Sequence, residues 1–497
     1  MSPENAEMAG EVNFKFTVSG LAHDTFQVVN VSGEDALNGD YSFTMTLLSR
    51  HPSLNPKDLL EKDASFVIES RREGPVVTMP YHGMVGEVEI CRQVFGRTEY
   101  KVTLVPRIAR LNLSEYSEIY TLEKDIPGLL EEVLKEAGFT SQDDQFKIVE
   151  GGRQRSFVCQ YRETLRQFLH RWVEREGIVT YFDHSGEKER LVFYDQPHQK
   201  PSWTKSLVYR PPGDLDVGFS DDSLIEFSET IRPVTGKVVV QDFNYRKANL
   251  EIREEEVLDP RGKTLIEEYG ENLRTNSEAK RQAKLLAELV RCRERRFSGT
   301  SSAIEIRAGT TINVRSHFRE EMNASFFVVR ARFEGALTES SRGTGNVAEQ
   351  GRFTTYFEAI PADVPFRPER KTPWPRVPGV VQAIVEAEGS GKFAELNEYG
   401  EYKVRFPFAL TKRKSQKGSG WVRLATPLAG ADNGMHFPLR MGTEVAVAFW
   451  EGDPDQPVIL GALHNSEGRN LVSNRNPQVN VLHSAGGHFI MLDDGNL

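Results

Sequence analysis

A glycine followed by lysine and a hydroxyl residue is the tail of a phosphate-cradling loop, whose backbone amides hold the phosphate while the lysine reaches it. Gly262-Lys263-Thr264 has that tail, but Val257 stands where the GxxxxGK[ST] spacing needs its first glycine. Gly389-Ser390-Gly391-Lys392 fails at both ends, with Glu386 in the first position and Phe393 in the last. His483 and His488 lie five apart in a β-like segment around Gly486-Gly487. No acidic base stands between them, and zinc would need ligands that this spacing does not supply. His170 sits among arginines beside an apolar helical stripe, where a solvated surface histidine is expected. Glu254-Glu255-Glu256 and Asp221-Asp222 read as solvated charge runs. The sequence contains no GxGxxG, no GxSxG elbow and no HExxH. No catalytic, cofactor-binding or metal-ligating residue is therefore expected, and no cofactor.

One constellation has a ligand class attached to it. Lys412-Arg413-Lys414 and Lys417 form a basic loop, with Phe406, Phe408, Trp421 and Trp450 nearby in sequence. Cationic loops and stacking aromatics on a small barrel bind single-stranded nucleic acid. The competing reading is a solvated hairpin loop on a barrel whose aromatics are core. A net charge of −10 favours that second reading and argues against general nucleic-acid or anionic-membrane binding.

The barrel itself is read from residues 375–465. Short alternating strands are punctuated there by Gly, Pro and Asp turns. Val445, Val447 and Phe449 alternate with Ala446, Ala448 and Trp450, and Gly452-Asp453-Pro454-Asp455 turns the chain before Pro457-Val458-Ile459-Leu460-Gly461. The proline-dense residues 361–375 precede it and read as an extended linker. Residues 12–110 read as mostly β, with strands at 14–18, 41–47, 64–70, 76–79, 81–90 and 100–105, and a hairpin around Glu73-Gly74-Pro75. Two amphipathic helices follow, capped by Asp125 and Thr164 and ended by Gly138 and Gly177. Residues 178–195 and 225–246 return to β, residues 196–225 read as a long connection, and a third helix spans about 277–296. Strands are also expected at 325–331 and 353–360. The fold class is mainly β with a few helices, an α+β chain. One weak repeat stands out: Gly96-Arg97 leads through eight residues to Pro106 as Gly351-Arg352 leads to Pro361. Two related β-units would explain it.

At 497 residues the chain calls for two to four domains. Cys91, Cys159 and Cys292 are odd in number and far apart, which fits separate thiols in a reducing compartment rather than disulfides or a structural zinc. No apolar run is long enough to span a membrane as a helix, and no Sec signal is visible, so synthesis in the cytoplasm is expected.

Several short motifs, in order, resemble the VgrG family, the spike proteins of type VI secretion systems, which is similar to the fused hub and spike of contractile phage tails. Gly420-Trp421-Val422-Arg423, Pro427-Leu428-Ala429-Gly430, Pro438-Leu439-Arg440-Met441-Gly442-Thr443-Glu444-Val445 and Glu451-Gly452-Asp453-Pro454-Asp455-Gln456-Pro457 resemble the family's WVRV, WAG, PRIGxEV and EGDPDxP signatures. His82-Gly83-Met84-Val85 resembles its HGxV strand. Cys159-Gln160-Tyr161-Arg162-Glu163, with Phe168-Leu169 and Glu176-Gly177-Ile178, resembles its VQYxES…FLxRLLEEEGI segment. Two departures stand out: Phe406-Pro407-Phe408-Ala409-Leu410 where the family has FxWDR, and Leu439 between Pro438 and Arg440. They leave open a spike of an extracellular injection particle or phage-like tail.

The resemblance implies a homotrimer with two barrel-type hub domains per chain, an OB-fold neck and a trimeric β-helix needle. The expected bounds are 1–115 for the first part of the hub, 116–372 for the helical segment, second hub barrel and linker, 373–465 for the neck, and 466–497 for the start of the needle. The segment VNVLHSAGGHFIMLDDG resembles that start. Implied partners are a hexameric inner-tube protein, a PAAR-type tip protein, effectors and baseplate proteins, with a target membrane pierced mechanically and no nucleic acid. The expected localisation is cytoplasmic during assembly, then secreted or injected. About twenty residues separate Asn465 from Ala485, too few for a catalytic domain. The expectation is a structural protein, with a nucleic-acid binder and a cell-wall hydrolase as the rival classes.

Overall fold

Ser42–Ser49 alternates buried Phe43, Met45 and Leu47 with half-exposed neighbours, the period-2 signature of a strand with one face in a core. In the computed structural model this strand is one of twelve in a closed ring. The structure describes residues 11–51, 54–71, 75–94, 96–121, 125–211, 223–338, 350–387, 393–410 and 419–496. Asp221-Asp222, Gly389–Lys392, the basic loop Lys412–Lys417 and most of the turn around Glu73-Gly74 lie outside the described residues.

The ring is divided in two because Ser325–Thr338 and Gln350–Pro361 pair with each other along their length. Thr204–Tyr209, Ser223–Ile231, Arg295–Ser301 and Thr311–Arg315 close a six-stranded barrel with those two shared strands. On the other side the same two strands join Glu11–Val18, Gln27–Ala36, Ser42–Ser49, Asp63–Arg71, Val77–Val94 and Arg97–Val105. Two barrel-type hub domains are therefore present, fused through a common pair of strands. Phe43, Tyr81 and Phe333 lie together in one of the cores, with ring centroids 4.3 to 5.9 Å apart.

The two halves repeat one design. In the first half the strands neighbour one another in the order Glu11–Val18, Asp63–Arg71, Val77–Val94, Arg97–Val105, Ser42–Ser49, Gln27–Ala36. In the second the order is Thr204–Tyr209, Thr311–Arg315, Ser325–Thr338, Gln350–Pro361, Arg295–Ser301, Ser223–Ile231. The Gly-Arg…Pro repeat falls on corresponding strands. β-Bulges coincide too: Val85/Glu87 opposite Leu104/Thr103 matches Val328/Arg330 opposite Ala359/Glu358. Likewise Val28/Asn30 matches Leu224/Glu226. Glu61 N–H donates to Val85 O at 2.8 Å as Gly309 N–H donates to Val328 O at 2.8 Å, and both donors have positive φ. The halves differ in their first strand: Glu11–Val18 runs antiparallel to its neighbour and Thr204–Tyr209 parallel.

Two sequence expectations need correction here. Residues 196–225 are more than a connection, because Thr204–Tyr209 inside them is a barrel strand. The strands expected at 76–79 and 81–90 are one 18-residue strand, Val77–Val94, that runs through Pro80. Pro80 lies where the strand has a neighbour on one side alone, so a residue without N–H is tolerated.

Between the halves lie α1 (Ile126–Glu136) and α2 (Leu165–Arg175), capped as expected by Asp125 and Thr164; the second cap is a full capping box with Gln167. Inserted between Ser223–Ile231 and Arg295–Ser301 is a small sheet, Ile252–Val257, Lys237–Asp242 and Leu265–Tyr269, covered by α3 (Asn276–Glu294). Val238, Val240 and Ile252 meet Ala279, Ala283 and Leu286 in its core.

The chain divides into two compact units, and the one described so far comprises the described residues of Met1–Ser114, Asp125–Arg153 and Thr164–Pro373. The second unit contains a closed five-stranded barrel in the order Val381–Glu386, Tyr402–Arg405, Trp421–Leu424, Pro457–Leu463, Glu444–Phe449. Trp421–Leu424 and Pro457–Leu463 run parallel and the other neighbours antiparallel, which is the OB-fold arrangement. Beyond it Val479–His483 and Phe489–Asp493 form an antiparallel hairpin. That hairpin is what the structure places where a needle was expected, and it does not confirm a β-helix.

Candidate functional site

The most heavily built local feature is the turn that the resemblance singled out, Glu451-Gly452-Asp453-Pro454-Asp455. Glu451 and Gly452 both take positive φ, 50° and 75°, which reverses the chain tightly. The buried Asp453 carboxylate accepts from Trp374 Nε1 at 3.0 Å, from Asp455 N–H at 3.1 Å and from Gln456 Nε2 at 2.9 Å. Asp455 Oδ1 accepts from Cys159 N–H at 2.6 Å. Arg376 Nη1 donates to Glu451 O at 2.7 Å, and Val377 N–H to Gly452 O at 2.8 Å. The turn thus fastens two distant segments to the barrel: the entering chain at Trp374–Val377 and the strand Val158–Thr164.

That second attachment was not legible from local pattern. Glu115–Tyr120 and Val158–Thr164 pair as a two-stranded sheet, and Ile119, Phe157, Cys159 and Tyr161 complete the barrel core. Tyr120 Oη donates to Gln160 Oε1 at 3.2 Å, and Gln160 Nε2 to Glu163 O at 3.2 Å, which satisfies a fully buried amide. The CQYRE motif is the segment that supplies these groups.

The chemical candidates fare differently. Phe406 is buried in the barrel core, and Phe408 packs edge-on against Tyr161 at 5.5 Å. Trp421 and Trp450 are nearer the surface, with Lys403 and Arg423 over their rings at 4.7 and 5.6 Å. The four aromatics do not form one stacking surface. Thr264 accepts from Gly236 N–H through both its backbone O at 3.0 Å and its Oγ1 at 3.2 Å, and Gly262 lies against Gly236 so closely that a Cβ would meet its backbone at 2.7 Å. Gly262-Lys263-Thr264 is thus a tight structural turn. Glu255 pairs with Lys237 at 2.8 Å across the strands of the small sheet. His483 and Phe489 are cross-strand neighbours in the hairpin, their rings 6.0 Å apart. Among the described residues no three His, Cys, Asp or Glu side chains gather as a metal-ligand set.

His170 is a correction. Its Nε2 is buried without a hydrogen-bond partner, and burial, aided by the Arg166 guanidinium, pushes the ring down to about 3. Charge on its neighbours misled the sequence reading: Arg166, Arg171 and Glu174 on the same helix are themselves buried, with Arg166 Nη2 on Asp40 Oδ1 at 2.5 Å.

Two further clusters escaped sequence reasoning. Ser65 Oγ and His82 Nδ1 lie 2.8 Å apart, and His184 Nδ1 accepts from His82 N–H at 3.1 Å. Ser65 and His82 are directly opposite in neighbouring strands, so register accounts for the pair. Glu176, fully buried after α2, is held by Arg153 Nε on Oε1 at 2.7 Å and Arg281 Nη1 on Oε2 at 2.7 Å. Burial alone would raise its carboxyl; the two guanidiniums bring it down to about 2. Both clusters tie elements together, and neither opens on a described cavity.

Two fused barrels built on one repeated design, followed in sequence by an OB-type barrel whose turns serve as fasteners, define a structural hub module. Comparison with known proteins agrees. The chain belongs to the phage tail baseplate hub (GPD) family, whose model matches residues 34–338. A second model, the type VI secretion system/phage-baseplate injector OB domain, matches residues 395–464. The chain is 28% identical over 462 residues to the type VI secretion system spike protein VgrG1b of Pseudomonas aeruginosa, a match spanning 90% of this chain and 60% of that protein. It is 26% identical to the actin cross-linking toxin VgrG1 of Vibrio cholerae, over 91% of this chain and 42% of that one. It thus spans less than two thirds of the length of these relatives. Among solved structures it is similar in fold to the E. coli c3393 protein, a component of the type VI secretion system with structural similarity to T4 bacteriophage tail proteins gp27 and gp5. That likeness has a TM-score of 0.65 at 19% identity, covering 90% of this chain and all of the other.

Proposed function

We propose that this chain is the hub and neck of a trimeric spike in a type VI-like contractile secretion machine. The observation that carries the reading is the order of modules: a duplicated hub barrel matched by the baseplate-hub family, then an OB barrel matched by the injector family, in one chain. The duplicated hub of three copies presents six similar units, which fits a hexameric inner-tube protein beneath it. The hairpin Val479–Asp493 exposes Phe489, Ile490, Met491 and Leu492, and an isolated two-stranded hairpin is marginal in water. Association of three such segments into the start of a needle would cover those side chains. A PAAR-type tip protein, baseplate proteins and effectors are the further partners; a relative named as a toxin supports effector carriage. The role is mechanical rather than enzymatic: the spike assembles in the cytoplasm, is then secreted or injected, and pierces the target membrane without binding nucleic acid.

The test is the mass of the purified chain by light scattering, with negatively stained particles alongside. Three copies per particle and particles with threefold symmetry are expected. A clean monomer at micromolar concentration overturns the reading.

A further inference from the structure

The internal repeat leaves one strand pairing unmatched. In the second half, Ser325–Thr338 gives its first residues to Thr311–Arg315 and then offers the same edge to Gln27–Ala36, from Arg330 opposite Ala36 to Ala336 opposite Asn30. In the first half, Val77–Val94 gives its first residues to Asp63–Arg71. Its remaining edge, residues 87–94, carries no strand among the described residues. The strand corresponding to Gln27–Ala36 is Ser223–Ile231, and beyond Leu224 its second edge is likewise unpaired among the described residues.

We propose that residues 87–94 of one copy pair antiparallel with residues 226–232 of a second copy of this chain. The coincident bulges transfer the register: Glu87 falls opposite Arg232 of the second copy, Val88 opposite Ile231, and Glu89 opposite Thr230. This deepens the trimer reading and rests on it for the number of copies; the surfaces come from the repeat.

Burial and charge point the same way. Phe333 and Asp35, at the covered positions of the intrachain pairing, are 1% and 7% exposed, whereas their counterparts Ile90 and Ile231 are 52% and 67% exposed. Pairing would remove this apolar surface from water and satisfy two open strand edges. Within the chain, Arg330 and Arg332 reach Glu34 at 3.2 and 3.4 Å. At the open edges the signs are exchanged: Glu87 and Glu89 face Arg232. Gln27–Ala36 of another copy is no competitor, since both its edges are paired within the chain, and its Glu34 would repel Glu87 and Glu89. The contact is head-to-tail, with different surfaces on each side, so it closes only as a ring.

The test uses the full chain with Cys91→Ser, because Cys91 is exposed on the same strand while Cys159 and Cys292 are buried. Directly opposite residues of an antiparallel pair have Cα atoms about 4.5 to 5.5 Å apart, within the span of a disulfide. Val88→Cys combined with Ile231→Cys should give, on mild oxidation, a ladder of covalent multimers on denaturing gels that ends at the closed ring. Either single variant should give none. Ile231→Asp should abolish the oligomer in solution while leaving circular dichroism unchanged, since the side chain is exposed in the single chain. A parent trimer that neither cross-links nor dissociates with Ile231→Asp overturns the pairing and leaves the spike reading standing. A parent monomer overturns both.

Discussion

Replacing Glu176 by Gln isolates one electrostatic contribution to the hub. The carboxylate neutralises the buried Arg153 guanidinium and the partly exposed Arg281 guanidinium, and its pKa falls from 4.5 in a free chain to about 2. At roughly 1.4 kcal/mol for each tenfold in acidity, that gap is worth about 3 kcal/mol. Its sign follows from which state binds the proton first. The unfolded chain protonates near pH 4.5 and the folded one near 2, so the contribution is complete above pH 4.5 and is lost as pH falls toward about 2. Glu176→Gln keeps the shape but leaves Arg153 and Arg281 facing a neutral amide, and removing one partner of a buried pair costs about 3–5 kcal/mol. The variant should therefore lose about 3 kcal/mol at pH 7, with the deficit shrinking as the pH approaches 2. Urea midpoints followed by far-ultraviolet circular dichroism at pH 7, 4 and 2.5 would measure it. A deficit of equal size at all three pH values would refute the charge argument and assign the loss to packing; no deficit at pH 7 would refute the pairing itself.

Three other outcomes are expected. Phe43→Ala, which empties a fully buried ring site against Tyr81 and Phe333, should destabilise the hub by about 3–5 kcal/mol in the same urea assay. Asp453→Ala removes the acceptor for Trp374 Nε1, Asp455 N–H and Gln456 Nε2; it should cost about 1–3 kcal/mol and shift Trp374 emission to longer wavelength. His170 is held neutral in the fold down to about 3, so the unfolded chain takes up its proton first and stability falls as pH drops below 6.5. His170→Asn should flatten thermal midpoints over that window, and an unchanged slope would refute the buried assignment.

The barrel was legible because its alternation is strict. Val445, Val447 and Phe449 are all buried, and Trp450, one step on, is exposed. Helix caps were legible for the same local reason: Asp125 and Thr164 accept from amides three residues away. What local pattern missed is what depends on distant partners. His170 on α2 read as a solvated surface histidine among arginines, yet Arg166 and Glu174 beside it are buried because Asp40 and Thr372 meet them from 126 and 198 residues away. Cys159 reads as one more thiol until Asp455, 296 residues on, accepts from its amide. The Gly-Arg…Pro repeat was a hint; the shared bulges turned it into a duplication, and bulges leave no mark in a single sequence.

The shared strands also set the order in which the chain can be completed. Every strand of the first barrel apart from the common pair lies before residue 106, but Ser325–Thr338 and Gln350–Pro361 arrive more than two hundred residues later. A nascent chain emerging from the ribosome thus displays Gln27–Ala36 with one edge unmet through most of its translation. Such edges recruit other strands while they wait. Closure is also a long-range event, which slows folding. A truncation anywhere before residue 361 would leave the N-terminal barrel unfinished, so hub integrity reports that translation has passed that point.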